Sequence, residues 1–233
     1  INGAGKTTLL KIIMGLLSPD TGEVILAKGK TIGYLAQHQD LTGGNTIYTE
    51  MLTVKQDVIR MENQIRQLEL DMKDASGDTL KELLDQYTRL NHQFELMNGY
   101  AYKSEINGVL KGLGFQENEF DMPVETLSGG QKTRLSLSKL LLSHPDIILL
   151  DEPTNHLDVS SITWLESFLM NYSGSVIIVS HDRYFLDKIV TKIIEIDNKS
   201  IRTYTGNYSA YSEKKKAVMD ALIKQYENQQ REI

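Results

Sequence analysis

Ile147-Ile148-Leu149-Leu150-Asp151-Glu152 is an unbroken apolar run closed by two carboxylates. Such a run has no polar face to offer water, so it suits a strand covered on both sides, the setting of a parallel sheet. Ser175–Ser180 repeats the pattern. Helical spacing fills the intervals, at about 129–142, 160–171 and 182–189. Strands alternating with helices place the chain in the α/β class. Two further short strands are predicted at Glu23–Leu26 and Thr31–Leu35, separated by Ala27-Lys28-Gly29-Lys30. Lys192–Ile196 and Ile201–Tyr204 read as a closing hairpin turned by Asp197-Asn198-Lys199.

Residues 53–97 differ in kind. Val54, Val58, Met61, Ile65, Leu68 and Met72 recur at three or four, as do Leu80, Leu83, Leu84, Tyr87, Leu90, Phe94 and Met97. Ala75-Ser76-Gly77-Asp78 between them is a turn. The pattern predicts two amphipathic helices folded into an antiparallel hairpin, each hiding its stripe against the other. By itself it reads as a structural subdomain. From Ser209 onward the pattern is helical and polar.

Composition excludes several classes. The chain has 233 residues, is 40% hydrophobic and 24% charged, and contains no cysteine. A disordered tail is excluded by the apolar content, and a disulfide framework or thiolate metal site by the missing sulfur. The sequence holds no run near the ~20 apolar residues of a membrane-spanning helix. A net charge of −6 argues against a surface that coats nucleic acid, though not against a local basic patch. The chain starts at Ile1 and its last helical pattern has no cap, so it reads as cut at both ends.

Three segments carry chemistry. Ile1-Asn2-Gly3-Ala4-Gly5-Lys6-Thr7-Thr8 leads into the helical run Leu9, Leu10, Ile12, Ile13. Small residues let backbone N–H groups surround phosphate oxygens, and the helix behind them adds its positive N-terminal end. Lys6 would bridge the outer phosphates, and the Thr7 hydroxyl would hold magnesium. The bland alternative is a glycine loop that merely starts a helix. The second segment is the strand ending in Asp151 and Glu152, which can aim Asp151 at a phosphate-bound magnesium while Glu152 orients water; a strand ending in a charged turn is the plain alternative. In the third, Leu127-Ser128-Gly129-Gly130-Gln131, Ser128 can cap a helix and the two glycines permit close approach of a ligand.

These segments, in this order, resemble an ATP-binding cassette (ABC) ATPase, and more narrowly the ABC-F group of twin-cassette proteins. The resemblance runs through the Walker A remnant Asn2–Thr8, the Q-loop Tyr34-Leu35-Ala36-Gln37, the signature Leu127–Gln131 and the Walker B Ile147–Glu152. It continues through the D-loop Pro153-Thr154-Asn155-His156-Leu157-Asp158 and the switch histidine in Ser180-His181-Asp182-Arg183. It implies a P-loop cassette with a helical subdomain over residues 1–208, an inserted helical arm at 53–97, and the start of an inter-cassette linker helix at 209–233. It implies that Asn2, Gly3, Ala4, Gly5, Lys6, Thr7 and Thr8 bind ATP. It makes Thr7, Gln37 and Asp151 ligands of Mg2+, and Glu152, His181 and Gln37 catalytic. Ser128, Gly129, Gly130 and Gln131 would bind the ATP of a second cassette, with Asp158 at the interface between the two.

Four features favour ABC-F over the alternative, the ATP-binding subunit of a membrane transporter. They are Glu152-Pro153-Thr154-Asn155-His156-Leu157-Asp158, the long interval from Gln37 to Leu127, the ending Tyr204-Thr205-Gly206-Asn207-Tyr208-Ser209-Ala210-Tyr211, and Lys214-Lys215-Lys216 opening a polar helix. The group implies a cytoplasmic, ATP-gated clamp on the ribosome, acting as a translation factor or in antibiotic protection. Ribosome, transfer RNA and the second cassette are the implied partners, and no membrane subunit is expected. Residues 53–100 hold six basic and nine acidic side chains, which favours a protein contact or a structural role for the arm over RNA. The chain by itself, without the strand that the resemblance places before the phosphate loop, is expected to be poorly soluble and not to turn ATP over.

Overall fold

A computed structural model describes residues 5–35, 41, 43–197 and 200–231, with the side chains of 222, 225–229 and 231 outside the description. The chain forms two compact units. One comprises residues 1–36, 146–155 and 162–233, and the other 37–145 and 156–161.

The first unit is built on a parallel sheet. Helix α1 (Lys6–Ile13) is followed by β1 (Ile32–Leu35), β2 (Ile147–Asp151) and β3 (Ser175–Val179), ordered β1-β2-β3. Leu35 pairs with Leu150, and Asp151 with Val179. The central strand behaves as its composition demands, with Ile148, Leu149 and Leu150 fully buried. At the entry end, Asp146 accepts hydrogen bonds from Lys30 Nζ (2.7 Å), the Thr31 N–H (2.9 Å) and Thr31 Oγ1 (3.0 Å). The Lys30 ammonium and the two Thr31 donors hold the Asp146 carboxyl down at about 2. Helix α8 (Arg183–Ile189) follows β3, then the antiparallel pair β4 (Lys192–Asp197) and β5 (Ser200–Thr205), then α9 (Tyr208–Arg231).

Two expectations for this unit are corrected. Glu23–Leu26 forms no strand: Val24, Ile25 and Leu26 are exposed, and no ladder partner lies beside them among the described residues. Strand-forming composition cannot substitute for a neighbour with which to share hydrogen bonds. The second run does become a parallel strand, but Ile177 on β3 is 39% exposed. An apolar run reports what a strand can bury, not whether a layer covers each face.

The second unit is helical: α2 (Ile47–Leu52), α3 (Gln56–Lys73), α4 (Gly77–Leu96), α5 (Tyr102–Gly112) and α6 (Gly129–Leu142). Thr46 caps α2 through a reciprocal pair with Thr49. Ile47, Met51, Ile106, Leu110, Leu113, Phe115 and Leu135 form its core. Glu50 is completely buried in that core, where it accepts from Asn45 Nδ2 (2.7 Å) and pairs with Lys139.

Helices α3 and α4 form the hairpin. Its stripes are only partly hidden: Val58, Ile65 and Phe94 are buried, while Leu70 and Leu84 are 54% and 47% exposed. Two helices can cover one seam, and residues flanking the seam still meet solvent. Tyr102 of α5 donates to Glu62 of α3 (2.8 Å), and burial followed by that carboxylate pushes its phenol up to about 12. Helix α7 (Val159–Met170) begins in the second unit and continues into the first.

Candidate nucleotide site

In the first unit, Gly5 stands at the N-cap of α1 with φ +89°. That left-handed conformation is easy only without a Cβ. It turns the chain into the first turn of α1, and the N-terminal end of a helix favours an anion. Thr7 lies in that first turn, and its Oγ1 donates to Asp151 Oδ2 at 2.7 Å across 144 positions of sequence. Asp151 is the last residue of β2 and is buried. Burial, and then the charge of Asp151, push the Tyr34 phenol of β1 upward.

The next residue, Glu152, also adopts a left-handed backbone, with φ +51°. Its N–H donates to Val179 O at 2.8 Å, which ties it to the end of β3. Its carboxylate accepts from the His181 N–H at 3.3 Å, and His181 Nε2 lies 3.5 Å from Oε1. The His181 side chain is 62% exposed against 19% for Glu152, so the imidazole faces outward over a mostly covered carboxylate. Asp182 caps α8 by accepting from the N–H groups of Tyr184 (3.0 Å) and Phe185 (3.1 Å), which fixes the turn carrying His181.

In the second unit, Ser128 caps α6. Gln131 N–H donates to Ser128 Oγ (3.3 Å), and Ser128 N–H donates back to Gln131 Oε1 (3.0 Å). This reciprocal box satisfies helix-terminal donors locally. Asp158 serves α7 in the same way, accepting from Ser161 N–H (2.7 Å) and Ser160 Oγ (2.8 Å). These contacts hold the Asp158 carboxyl below its usual range, the Ser161 N–H most strongly.

The structure therefore joins Thr7 to Asp151 and Glu152 to His181 in one unit, and places Ser128, Gly129, Gly130, Gln131 and Asp158 in the other. Lys6 and Thr8 lie in α1 beside Thr7. Asn2, Gly3, Ala4 and Gln37 lie outside the described residues.

Two features escaped the sequence reading. Arg134 donates through Nη1 to Leu113 O at 3.3 Å and lies over the Phe115 ring at 5.0 Å; its spacing three after Gln131, on the inner face of α6, was the available signal. The other is the neighbour of Gly130. A Cβ there would lie 3.2 Å from His156 Cβ and Cγ, so the His156 side chain lies in the space beside that glycine.

A parallel sheet that presents a glycine-turned helix, a hydroxyl–carboxylate pair and a second carboxylate at one end is a P-loop nucleotide-binding architecture. Comparison with known proteins agrees. Residues 1–155 match the family described as ABC transporter, and residues 194–233 match a second family with the same description. The chain belongs to the ABC transporter family, as an ATP-binding cassette whose relatives include F-type members.

A putative ATP-binding protein of Bacillus subtilis, YdiF, is 50% identical over 232 residues, covering 100% of this chain and 36% of its own. ABC transporter F family member 2 of Arabidopsis thaliana is 37% identical over 236 residues (100% and 35%). The energy-dependent translational throttle protein EttA of Mycobacterium tuberculosis is 38% identical over 217 residues (92% and 38%). The chain thus spans little more than a third of the length of these relatives. Among solved structures, an archaeal ribosome recycling factor in complex with a ribosomal stalk protein shares the fold, with TM-score 0.55 and 24% identity over 87% of this chain and 32% of its own.

Proposed function

We propose that this chain is an ATP-binding and ATP-hydrolysing cassette of an ABC-F type protein. The observation that carries the reading is the Thr7–Asp151 hydrogen bond of 2.7 Å. Hydroxyl and carboxylate oxygens are hard ligands of the kind magnesium accepts, and magnesium commonly takes one or two protein ligands beside substrate phosphates. Thr7 and Asp151, with Gln37, would hold that ion. It would neutralise charge on the phosphates.

ATP would bind through Asn2–Thr8, with Lys6 on its outer phosphates and the amides of α1 behind them. Glu152 would orient the attacking water and accept its proton as the new O–P bond forms and the β–γ bridging bond breaks. His181, beside Glu152, would hold the carboxylate's direction and face the γ-phosphate. Ser128 to Gln131 and Asp158 would serve the ATP of a second cassette. Their polar groups already satisfy one another through helix caps, which fits a preformed docking edge.

The whole protein would be a cytoplasmic pair of cassettes that ATP closes on the ribosome near transfer RNA and hydrolysis releases. Support comes from the F-type relative and from the relative named a translational throttle protein. Among the described residues no helix is long and apolar enough to cross a membrane. Residues 209–233 would begin the linker between cassettes and 53–97 would form the arm.

The test uses the full-length protein. ATP should accelerate its sedimentation with ribosomes, and Glu152→Gln should strengthen that association by blocking release. Absence of ATP binding by calorimetry refutes the nucleotide reading. ATP turnover with ribosome sedimentation indifferent to nucleotide refutes only the clamp.

A further inference from the structure

We propose that α5 is a two-point brace that holds the hairpin of α3 and α4 as a rigid lever of the helical unit. Every group involved lies in the second unit. The first point is Glu105 of α5, which ties both legs of the hairpin at once. Its Oε2 accepts from Lys55 Nζ at the head of α3, and its Oε1 from Asn98 Nδ2 just past α4, each at 2.9 Å. Asn98 reaches it from a left-handed backbone, φ +53°, a conformation in which asparagine is enriched. The second point is Tyr102, which donates to Glu62 of α3 at 2.8 Å. The two points run in opposite senses, α5 supplying the acceptor at one and the donor at the other.

Lys55 and Glu62 are seven positions apart, two turns and about 10 Å along α3. One contact is a pivot about which a helix can swing; two contacts separated by that length fix its direction. The Lys55 and Glu105 side chains are 16% and 28% exposed, and Tyr102 is buried. Partly buried pairs are screened less than surface ones. Phe94 secures the other leg: a Cβ at Gly99 would collide with its ring, so the end of α4 lies close on the entry to α5. Helix α5 packs in turn on α6, whose first turn carries Gly129 to Gln131, and Ile106, Leu110 and Leu135 are fully buried. A displacement of α6 therefore carries the arm with it, and the length of α3, about 27 Å for 18 residues, enlarges a small rotation at the tip. That this motion serves the ribosome rests on the proposed clamp.

The experiment places spin labels at Asp74→Cys, at the tip of the hairpin, and at Asn118→Cys, in the body of the helical unit, of the full-length protein with any other cysteine replaced. It reads the distribution of distances between them. The wild type should give one narrow peak. Tyr102→Phe and Glu105→Ala should each raise the fraction of molecules outside that peak about fivefold, the weight of one hydrogen bond, and the pair should raise it by the product. Glu62→Gln, which keeps an acceptor for Tyr102, should stay near wild type, whereas Glu62→Ala should match Tyr102→Phe. In the paired variant, ATP turnover without ribosomes should be unchanged, and ATP-dependent sedimentation with ribosomes should weaken in proportion to the lost aligned fraction.

An unchanged distribution in both single variants overturns the brace, and a change in only one of them overturns its two-point form. If Glu105→Ala does not fold, Tyr102→Phe, which removes only a hydroxyl and keeps the ring in the core, decides it by the same reading. A broadened distribution with undiminished sedimentation overturns the lever. A wild-type protein that does not sediment with ribosomes refutes instead the clamp, and the distances still decide the brace.

Discussion

At the Asp151 end of the parallel sheet, polar side chains find partners far along the chain; at the starts of α6 and α7 they find them within one helical turn. Thr7 meets Asp151 across 144 positions and Glu152 meets His181 across 29. Ser128 and Gln131 are three apart, as are Asp158 and Ser161. The first region is a site only once the sheet has formed. The second is complete as a local cap, so its polar groups are held still and any ligand must come to them. Substitutions in the first region should therefore leave local helix stability largely untouched, whereas in the second they should also cost helix stability.

The largest test of that contrast is Glu152→Gln in the full-length protein. Removing the proposed proton acceptor should cost ~10²–10⁴ in kcat, the range for a general base, with ATP affinity kept; an unchanged rate in a phosphate-release assay would break the comparison at its first region. Next comes the buried pair of the helical unit. Glu50→Ala leaves Lys139 without its carboxylate and should destabilise by about 3–5 kcal/mol, the cost of breaking a buried ion pair. Chemical denaturation reads it, and Glu50→Ala with Lys139→Met should recover part of the loss.

Ser128→Ala is smaller. It removes the cap of α6 and should cost about 1 kcal/mol of unfolding free energy, a loss that Thr at the same position recovers in the same denaturation experiment. The smallest concerns pH. Asp146 has a folded value of about 2, below its ordinary 3.8. A depressed carboxyl contributes stability that is full above its unfolded value and fades as pH falls through the folded one. Acid titration should therefore weaken the β1–β2 junction between about pH 4 and 2, and Asp146→Asn should flatten that limb of the melting curve.

Much of the fold was legible. The period of apolar residues placed α6, α8 and the hairpin within a residue or a few, because helices and strands answer to local spacing. Ser128 was legible as a cap because its partner is three residues away. Glu23–Leu26 misled because a strand needs a neighbour, which composition does not supply. Helix α5 was passed over, although Ile106, Val109, Leu110 and Leu113 carry helical spacing. The closeness of His156 to Gly130 was not legible, because nothing along the chain announces that contact.

Spacing and residue type alone were enough to specify an α/β chain, its glycine loop, its strand ending in Asp151-Glu152 and the cap at Ser128, since each depends on interactions within a few residues. Folding had to bring Thr7 to Asp151, set His181 against Glu152 and seat His156 on Gly130. Those meetings depend on parallel strand register, on left-handed turns at Glu152 and His156 and on how segments pack. They arise from long-range contacts that no local period encodes.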